Sequence, residues 1–127
     1  SNAVQESTES MKTESEKETS EEKQSFFEQY EQALKNEGIE FEKVTMAAEY
    51  IHAKEGYKFK IGNGAVEIYS FDADSDAYKT AEENQELSMD GFAAFKATVK
   101  NGMAIIISDL DETPYLAIFD SIISQTK

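Results

Sequence analysis

The residues best spaced for chemistry are four acids that follow an apolar run near the middle of the chain. Asp72, Asp74 and Asp76 alternate along a short segment, and Glu83 follows them. Acids at positions one, three, five and twelve match the oxygen ligands of an EF-hand calcium loop, but Ala77 stands where that loop needs glycine. The spacing leaves two interpretations: a calcium site, or acids that stabilise the free amides at a helix N-terminus.

Two smaller features bear on the same chemistry. Asp109, Asp111 and Glu112 form a second acidic turn before the last predicted helix, and we expect the two turns to share an edge of the sheet. His52 is the only histidine, and its place near the end of a short predicted helix is typical of a side chain that bonds the last carbonyls. No serine stands in a nucleophile-elbow context, and cysteine is absent. The sequence therefore predicts a protein that is not an enzyme and has no resident cofactor.

The charge of the chain narrows the class of partner. The net charge is −14, all twelve basic residues are lysines, and arginine is absent. A field of this sign repels nucleic-acid phosphates and anionic lipid headgroups. We therefore expect no nucleic-acid partner, and contact with a membrane only through a lipid anchor outside the 127 residues.

The first 24 residues differ in composition from the rest. Ser1-Asn2-Ala3 is typical of the remnant of a cleaved expression tag, and the segment from Val4 to Gln24 is almost entirely Ser, Thr, Glu, Lys and Gln. So polar a segment buries too little apolar surface to offset its chain entropy. The sequence predicts a disordered Ser/Glu/Lys-rich tether within residues 1–24 and a single α+β domain over residues 25–127.

Periodicity and capping residues predict four helices and two hairpins in that domain. The residues expected to begin or end helices are Thr19 with Glu22, Gly38, Ser75 or Asp74, and Thr113 with Pro114. A short second helix is expected from Thr45 to Ile51, and the hairpins turn at Gly62-Asn63-Gly64 and Asn101-Gly102. The predicted architecture is a four-stranded, mostly antiparallel sheet with helices on one face, in the order α-α-β-β-α-β-β-α.

The register of the second hairpin divides its side chains between the two faces of the sheet. The expected cross-strand pairs are Lys100 with Met103, Val99 with Ala104, Thr98 with Ile105, Ala97 with Ile106, and Lys96 with Ile107. If helices cover one face only, the other presents an apolar binding surface. The residues of that candidate binding surface are Tyr57, Tyr69, Thr98, Ile105 and Ile107. The alternative is that a leading helix covers it, because open apolar patches are uncommon in monomers.

Several stretches of the domain carry a family resemblance. They are Met46–Glu49, Ala53–Tyr57, Val66–Asp72, Ser75, Tyr78, Lys79 and the Asn101-Gly102 turn. In these residues the chain resembles the small, uncharacterised surface lipoproteins of Gram-positive bacteria. In that family a signal peptide precedes a lipidated cysteine and a polar leash. The resemblance therefore implies a lipid anchor at the extracellular face of the cell membrane, and it implies no catalytic residues.

These observations favour an exported, membrane-tethered lipoprotein domain that binds a protein or peptide at the cell envelope without catalysis. The alternative is a calcium- or small-ligand-binding module that uses the acidic turns at 72–76 and 109–112. A third interpretation, an enzyme that acts on the cell wall through a carboxylate pair, is less favoured. The domain is small for a sugar cleft and contains no tryptophan to stack on one.

Overall fold

The fold is that of a computed structural model, which describes residues 24–89 and 93–125. Apart from Gln24, the predicted tether lies outside the described residues, as does the predicted capping box of Thr19 and Glu22. The helices described are α1 at Phe26–Asn36, α2 at Asp76–Asn84, α3 at Glu112–Gln125 and a short 3-10 helix at Ala48–Ile51.

The described strands form two antiparallel sheets. In chain order they are β1 Glu42–Thr45, β2 Glu55–Ile61, β3 Gly64–Ser70, β4 Glu86–Ser88, β5 Ala94–Lys96, β6 Thr98–Lys100 and β7 Met103–Ser108. The main sheet has the order β1-β2-β3-β7-β6, and β4 pairs with β5 alone. The α+β class is confirmed. The predicted four-stranded sheet is corrected to five strands plus a two-stranded sheet.

Local signals set the limits of α1. The Ser25 hydroxyl accepts the Glu28 N–H at 3.1 Å, and the Glu28 carboxylate accepts the Ser25 N–H at 3.1 Å, which is a reciprocal capping box. At the other end Gly38 has a φ of 73°, and the N–H groups of Gly38 and Ile39 donate to carbonyls of the last turn. The predicted helix end at Gly38 is confirmed.

Two predicted helix starts need correction. Thr45 is the last residue of β1 and not the first of a helix, so only the 3-10 helix remains of the predicted second helix. The residue that caps α3 is Asp111, whose carboxylate accepts the Thr113 N–H at 3.2 Å. The start of α2 is as predicted, because the Ser75 hydroxyl accepts the Tyr78 N–H at 3.1 Å.

The second hairpin forms with the predicted turn but is shorter than predicted. Asn101 and Gly102 both have positive φ, at 52° and 79°, as a type I′ turn requires. The confirmed pairs are Lys100 with Met103, Val99 with Ala104, and Thr98 with Ile105. The pairs predicted for Ala97 and Lys96 are wrong, because the chain leaves the main sheet there: Lys96 pairs with Glu86 in the smaller sheet.

Alternation along β3 and β7 places apolar side chains on both faces of the main sheet. On the first face Val66, Ile68 and Ile105 are almost fully buried, in one core cluster with residues of α1 and α3. On the second face Tyr69 and Ala104 belong to another cluster, with residues of α2, β4 and the 3-10 helix. Helices therefore cover both faces, and the prediction of helices on one face is wrong.

A buried hydrogen bond joins the two helices of the first face. The Tyr30 hydroxyl of α1 donates to the Tyr115 carbonyl of α3 at 2.9 Å, and the Tyr30 side chain is fully buried. We expect Tyr30→Phe to lower the free energy of unfolding by about 1 kcal/mol, the usual net value of such a bond. Urea unfolding measures it, with Tyr50→Phe as the exposed control. A Tyr30→Phe protein as stable as the parent would contradict the assigned role of this bond.

Candidate functional site

The two acidic turns lie at opposite ends of the main sheet. Asp72 follows β3 and Asp109 follows β7, and these neighbours run antiparallel with Ala65, near the start of β3, opposite Ser108, at the end of β7. Neighbouring antiparallel strands end at opposite edges of a sheet. The expectation that the two turns share an edge is therefore wrong.

The acids of the first turn lie just before α2 and at its first residue. The Asp72 carboxylate accepts the Asp74 N–H at 3.0 Å, and Asp76 and Glu83 lie within the helix itself. Within residues 24–89 and 93–125, no three His, Asp or Glu side chains converge as metal ligands would. The acids therefore lie around the start of α2, as the helix N-terminus interpretation expects, and the calcium interpretation stays a prediction that these contacts do not support.

His52 lies at the end of the 3-10 helix, in the left-handed conformation with a φ of 63°, and its N–H donates to the Glu49 carbonyl at 3.1 Å. Its side chain lines a shallow pocket of about 250 Å³ together with Asp76, Glu86 and Ser88. Residues that share a pocket wall are not by that alone an acid–base pair, which needs hydrogen-bond contact with the reacting group.

The five residues of the predicted binding surface do not form one surface. Thr98, Ile105 and Ile107 occupy alternate positions facing α1 and α3, and Ile105 is 2% exposed. Tyr57 is on the same covered face, where its ring packs against Phe27 at a centroid distance of 4.7 Å. Tyr69 alone lies on the second face. The predicted open face is therefore corrected: a leading helix covers it, which was the stated alternative.

A pocket of about 320 Å³ opens on the second face of the main sheet, beside elements that pack on that face. The main sheet forms its floor, and the segment around the 3-10 helix and the β4–β5 sheet contribute the rest of its lining. The residues that line it are Met46, Ala47, Tyr50, Ile51, Glu67, Tyr69, Leu87, Met89, Phe95, Ile106 and Ser108. Most of this lining is apolar, and among the lining residues that the structure describes Glu67 alone is charged.

Two aromatic rings stand exposed at this pocket. Tyr50 is 61% exposed and Phe95 is 45% exposed. Among the described residues these two are the large hydrophobic side chains that are exposed to solvent. Tyr50 comes from the 3-10 helix and Phe95 from β5, and both line the pocket. Folding alone gives no reason to hold two large rings in water at one place. The convergence of both on one pocket marks it as the candidate functional site.

The floor of the pocket carries a partly buried hydrogen bond. The Tyr69 hydroxyl donates to Glu67 Oε1 at 2.5 Å. Tyr69 is placed by Gly56, its cross-strand partner, because a β-carbon on Gly56 would overlap the Tyr69 ring. Burial, and then the bond to the Glu67 carboxylate, raise the pKa of the Tyr69 hydroxyl well above its usual range. Tyr69 is thus a neutral donor that holds the carboxylate in position.

A larger groove of about 560 Å³ lies between α1 and α3. Carboxamides dominate its polar lining, among them Gln29, Gln32, Asn36 and Gln125. Some are already engaged, since Gln32 Nε2 donates to Asn36 Oδ1 at 3.0 Å. Neither of the exposed rings lies at this groove, so the pocket on the second face remains the stronger candidate.

Sequence reasoning named Tyr69 but missed the residues around it. Tyr50, Phe95 and Met46 come from segments that local periodicity does not place together. Glu67 carried a usable signal, because it is the one charged residue within the otherwise apolar β3. A lone carboxylate between Val66 and Ile68 indicates a strand face that meets solvent or a ligand.

The raised pKa of Tyr69 predicts how stability responds to alkaline pH. The unfolded chain ionises Tyr69 at its ordinary pKa of about 10, while the folded chain keeps the proton to higher pH. The stabilisation is therefore complete below about pH 10 and is lost as pH rises through the folded-state pKa. Above pH 10 the free energy of unfolding should fall less steeply with pH in Tyr69→Phe than in the parent. The difference in slope should correspond to at most one proton per molecule. An unchanged slope would contradict this assignment, and Tyr50→Phe is the control.

Comparison with known proteins gave no match: no protein-family model, curated protein or solved structure resembles the chain. The likeness to Gram-positive surface lipoproteins therefore stays a prediction. No helix in the described part of the chain is long and apolar enough to cross a membrane. The candidate function of this chain rests on its own geometry.

Proposed function

We propose that the domain is a non-catalytic binding module whose partner is a protein or peptide, and that one side chain of the partner enters the pocket on the second face. The observation that carries the proposal is the exposure of both Tyr50 and Phe95 at this one pocket. Aromatic residues and methionine are enriched where proteins meet partners. Exposed apolar area that serves no core is typical of such sites.

The size and composition of the pocket favour a single inserted side chain. Its volume of about 320 Å³ is at the lower end of the range for small-molecule sites, which also enclose most of their ligand. Two of its wall residues are Met46 and Met89. Methionine is flexible and polarisable, so such walls adapt to side chains of different shape. A side chain offered by a partner segment fits these features.

The proposal includes a place in the cell. We infer that the domain is exported and held by a lipid anchor at the extracellular face of the membrane, with residues 4–24 as a polar leash. The support is the composition of that segment, the absence of cysteine and the resemblance noted above. Mass spectrometry of the natural protein should find a diacylglyceryl cysteine ahead of Val4. An unmodified natural N-terminus would overturn this part of the proposal.

Selection from a displayed peptide library tests the binding function. Peptides selected on the full chain should lose at least about thirtyfold in affinity for the double variant Tyr50→Ser/Phe95→Ser, as is usual when aromatic anchors are removed. The matched control is Gln29→Ala/Gln32→Ala, which alters the α1–α3 groove and should leave affinity unchanged. Circular dichroism verifies that both variants fold.

Two outcomes would overturn the binding proposal. In one, the selected peptides bind the Tyr50→Ser/Phe95→Ser protein as tightly as the parent. In the other, the groove variant loses affinity and the pocket variant keeps it, which would place the binding site between α1 and α3.

A further inference from the structure

We propose that the side chain bound in this pocket is cationic: the apolar stem of a lysine or arginine lies between the rings, and its charged end meets Glu67. The inference rests on the proposed function and names the chemistry of the partner. Among the described residues, three aromatic side chains line the pocket, Tyr50, Tyr69 and Phe95, and no lysine does. Rings that surround an open space attract a cation through their negative faces.

The carboxylate of Glu67 is available for such a cation. Its Oε1 accepts the Tyr69 hydroxyl, and in the described residues no other hydrogen bond or ion pair occupies it. Lys58 is the cross-strand partner of Glu67, and both residues line a smaller pocket nearer the first hairpin turn, but no ion pair joins the two side chains in the described residues. Glu67 is partly buried, where a charge-assisted hydrogen bond is stronger than in open solvent. A basic side chain would supply that bond.

The charge of the whole chain points to the same class of partner. The net charge of −14 attracts cationic partners and raises their rate of encounter. Long basic side chains are also amphipathic, so their methylene stems can cover the apolar walls while the charged end reaches the carboxylate. An anionic or purely apolar side chain would desolvate the Glu67 carboxylate and leave it only the Tyr69 hydroxyl as a partner, which is costly for a charged group.

Matched peptides test the inference directly. The probes are blocked pentapeptides of glycine with a central arginine, lysine, citrulline or norleucine, so that each cation has a neutral counterpart of similar shape. They are titrated into the ¹⁵N-labelled chain at low ionic strength, where charge attraction is least screened. The cationic peptides should shift the amide resonances of Glu67, Tyr69 and Ile106. They should bind about tenfold more tightly than their neutral counterparts.

Charge-matched variants separate the pocket from the general field of the protein. Glu67→Gln should remove most of the preference for the cationic peptides. Glu42→Gln removes the same charge from β1, outside the pocket, and should preserve the preference. Lys58→Gln should strengthen binding of the cationic peptides slightly, because it removes a like charge near the carboxylate.

The contradicting results are distinct from those of the library selection. Equal affinity for cationic and neutral peptides at the pocket would overturn the cation preference while the binding function stands. If Glu67→Gln and Glu42→Gln lose the preference for cationic peptides equally, the peptides are attracted only diffusely to an acidic surface. That result would also overturn the cation preference of the pocket. Titrations of the arginine and lysine peptides that leave the pocket resonances unmoved up to their solubility limit count against it in the same way.

Discussion

Side-chain alternation along β3 and β7 is the constraint on which the rest of the structure depends. Both strands carry apolar residues on both faces, so the main sheet needs cover on each side. The first face is closed by two helices, α1 and α3, whose buried side chains form one cluster with Phe59 and Ile68. The second face is covered by three shorter elements: the 3-10 helix, α2 and β4. The pocket lies where that second cover ends.

Because the second face is covered only in part, the pocket contains both buried residues of the core and residues exposed to solvent. Tyr69 and Ile106 extend the second core to the pocket floor, while Tyr50 and Phe95 stand in the solvent above it. Glu67 interrupts the apolar floor, and the Tyr69 hydroxyl holds its carboxylate in place. An apolar pocket with one oriented charge has the two properties that recognition needs. The apolar walls provide contact area, and the charge provides selectivity.

The sequence predicts those parts of the fold that local chemistry decides. The Asn101-Gly102 turn needs two residues with positive φ, and the end of α1 needs Gly38, so both are readable from residue type. The small sheet of β4 and β5 is not readable in this way. The alternation through Phe95 to Val99 is continuous in the sequence, and nothing local indicates that Phe95 pairs with Leu87 while Val99 pairs with Ala104.

The candidate site was predictable only in part, for a related reason. Alternation shows that Thr98 and Ile105 share a face, but it does not show which face the helices cover. That choice is made by long-range packing, such as the bond from Tyr30 to the Tyr115 carbonyl. Tyr50 and Phe95 lie 45 residues apart in sequence, so their meeting at one pocket emerges only from the fold.

The most direct test of this account is the free energy of unfolding of the Tyr50→Ser/Phe95→Ser protein, measured by urea denaturation. If the two rings stand exposed for recognition, the loss should not exceed about 1 kcal/mol, as for surface substitutions. A total loss of about 6 kcal/mol or more, the cost of truncating two buried aromatic residues, would show that both rings belong to the core and would contradict the account.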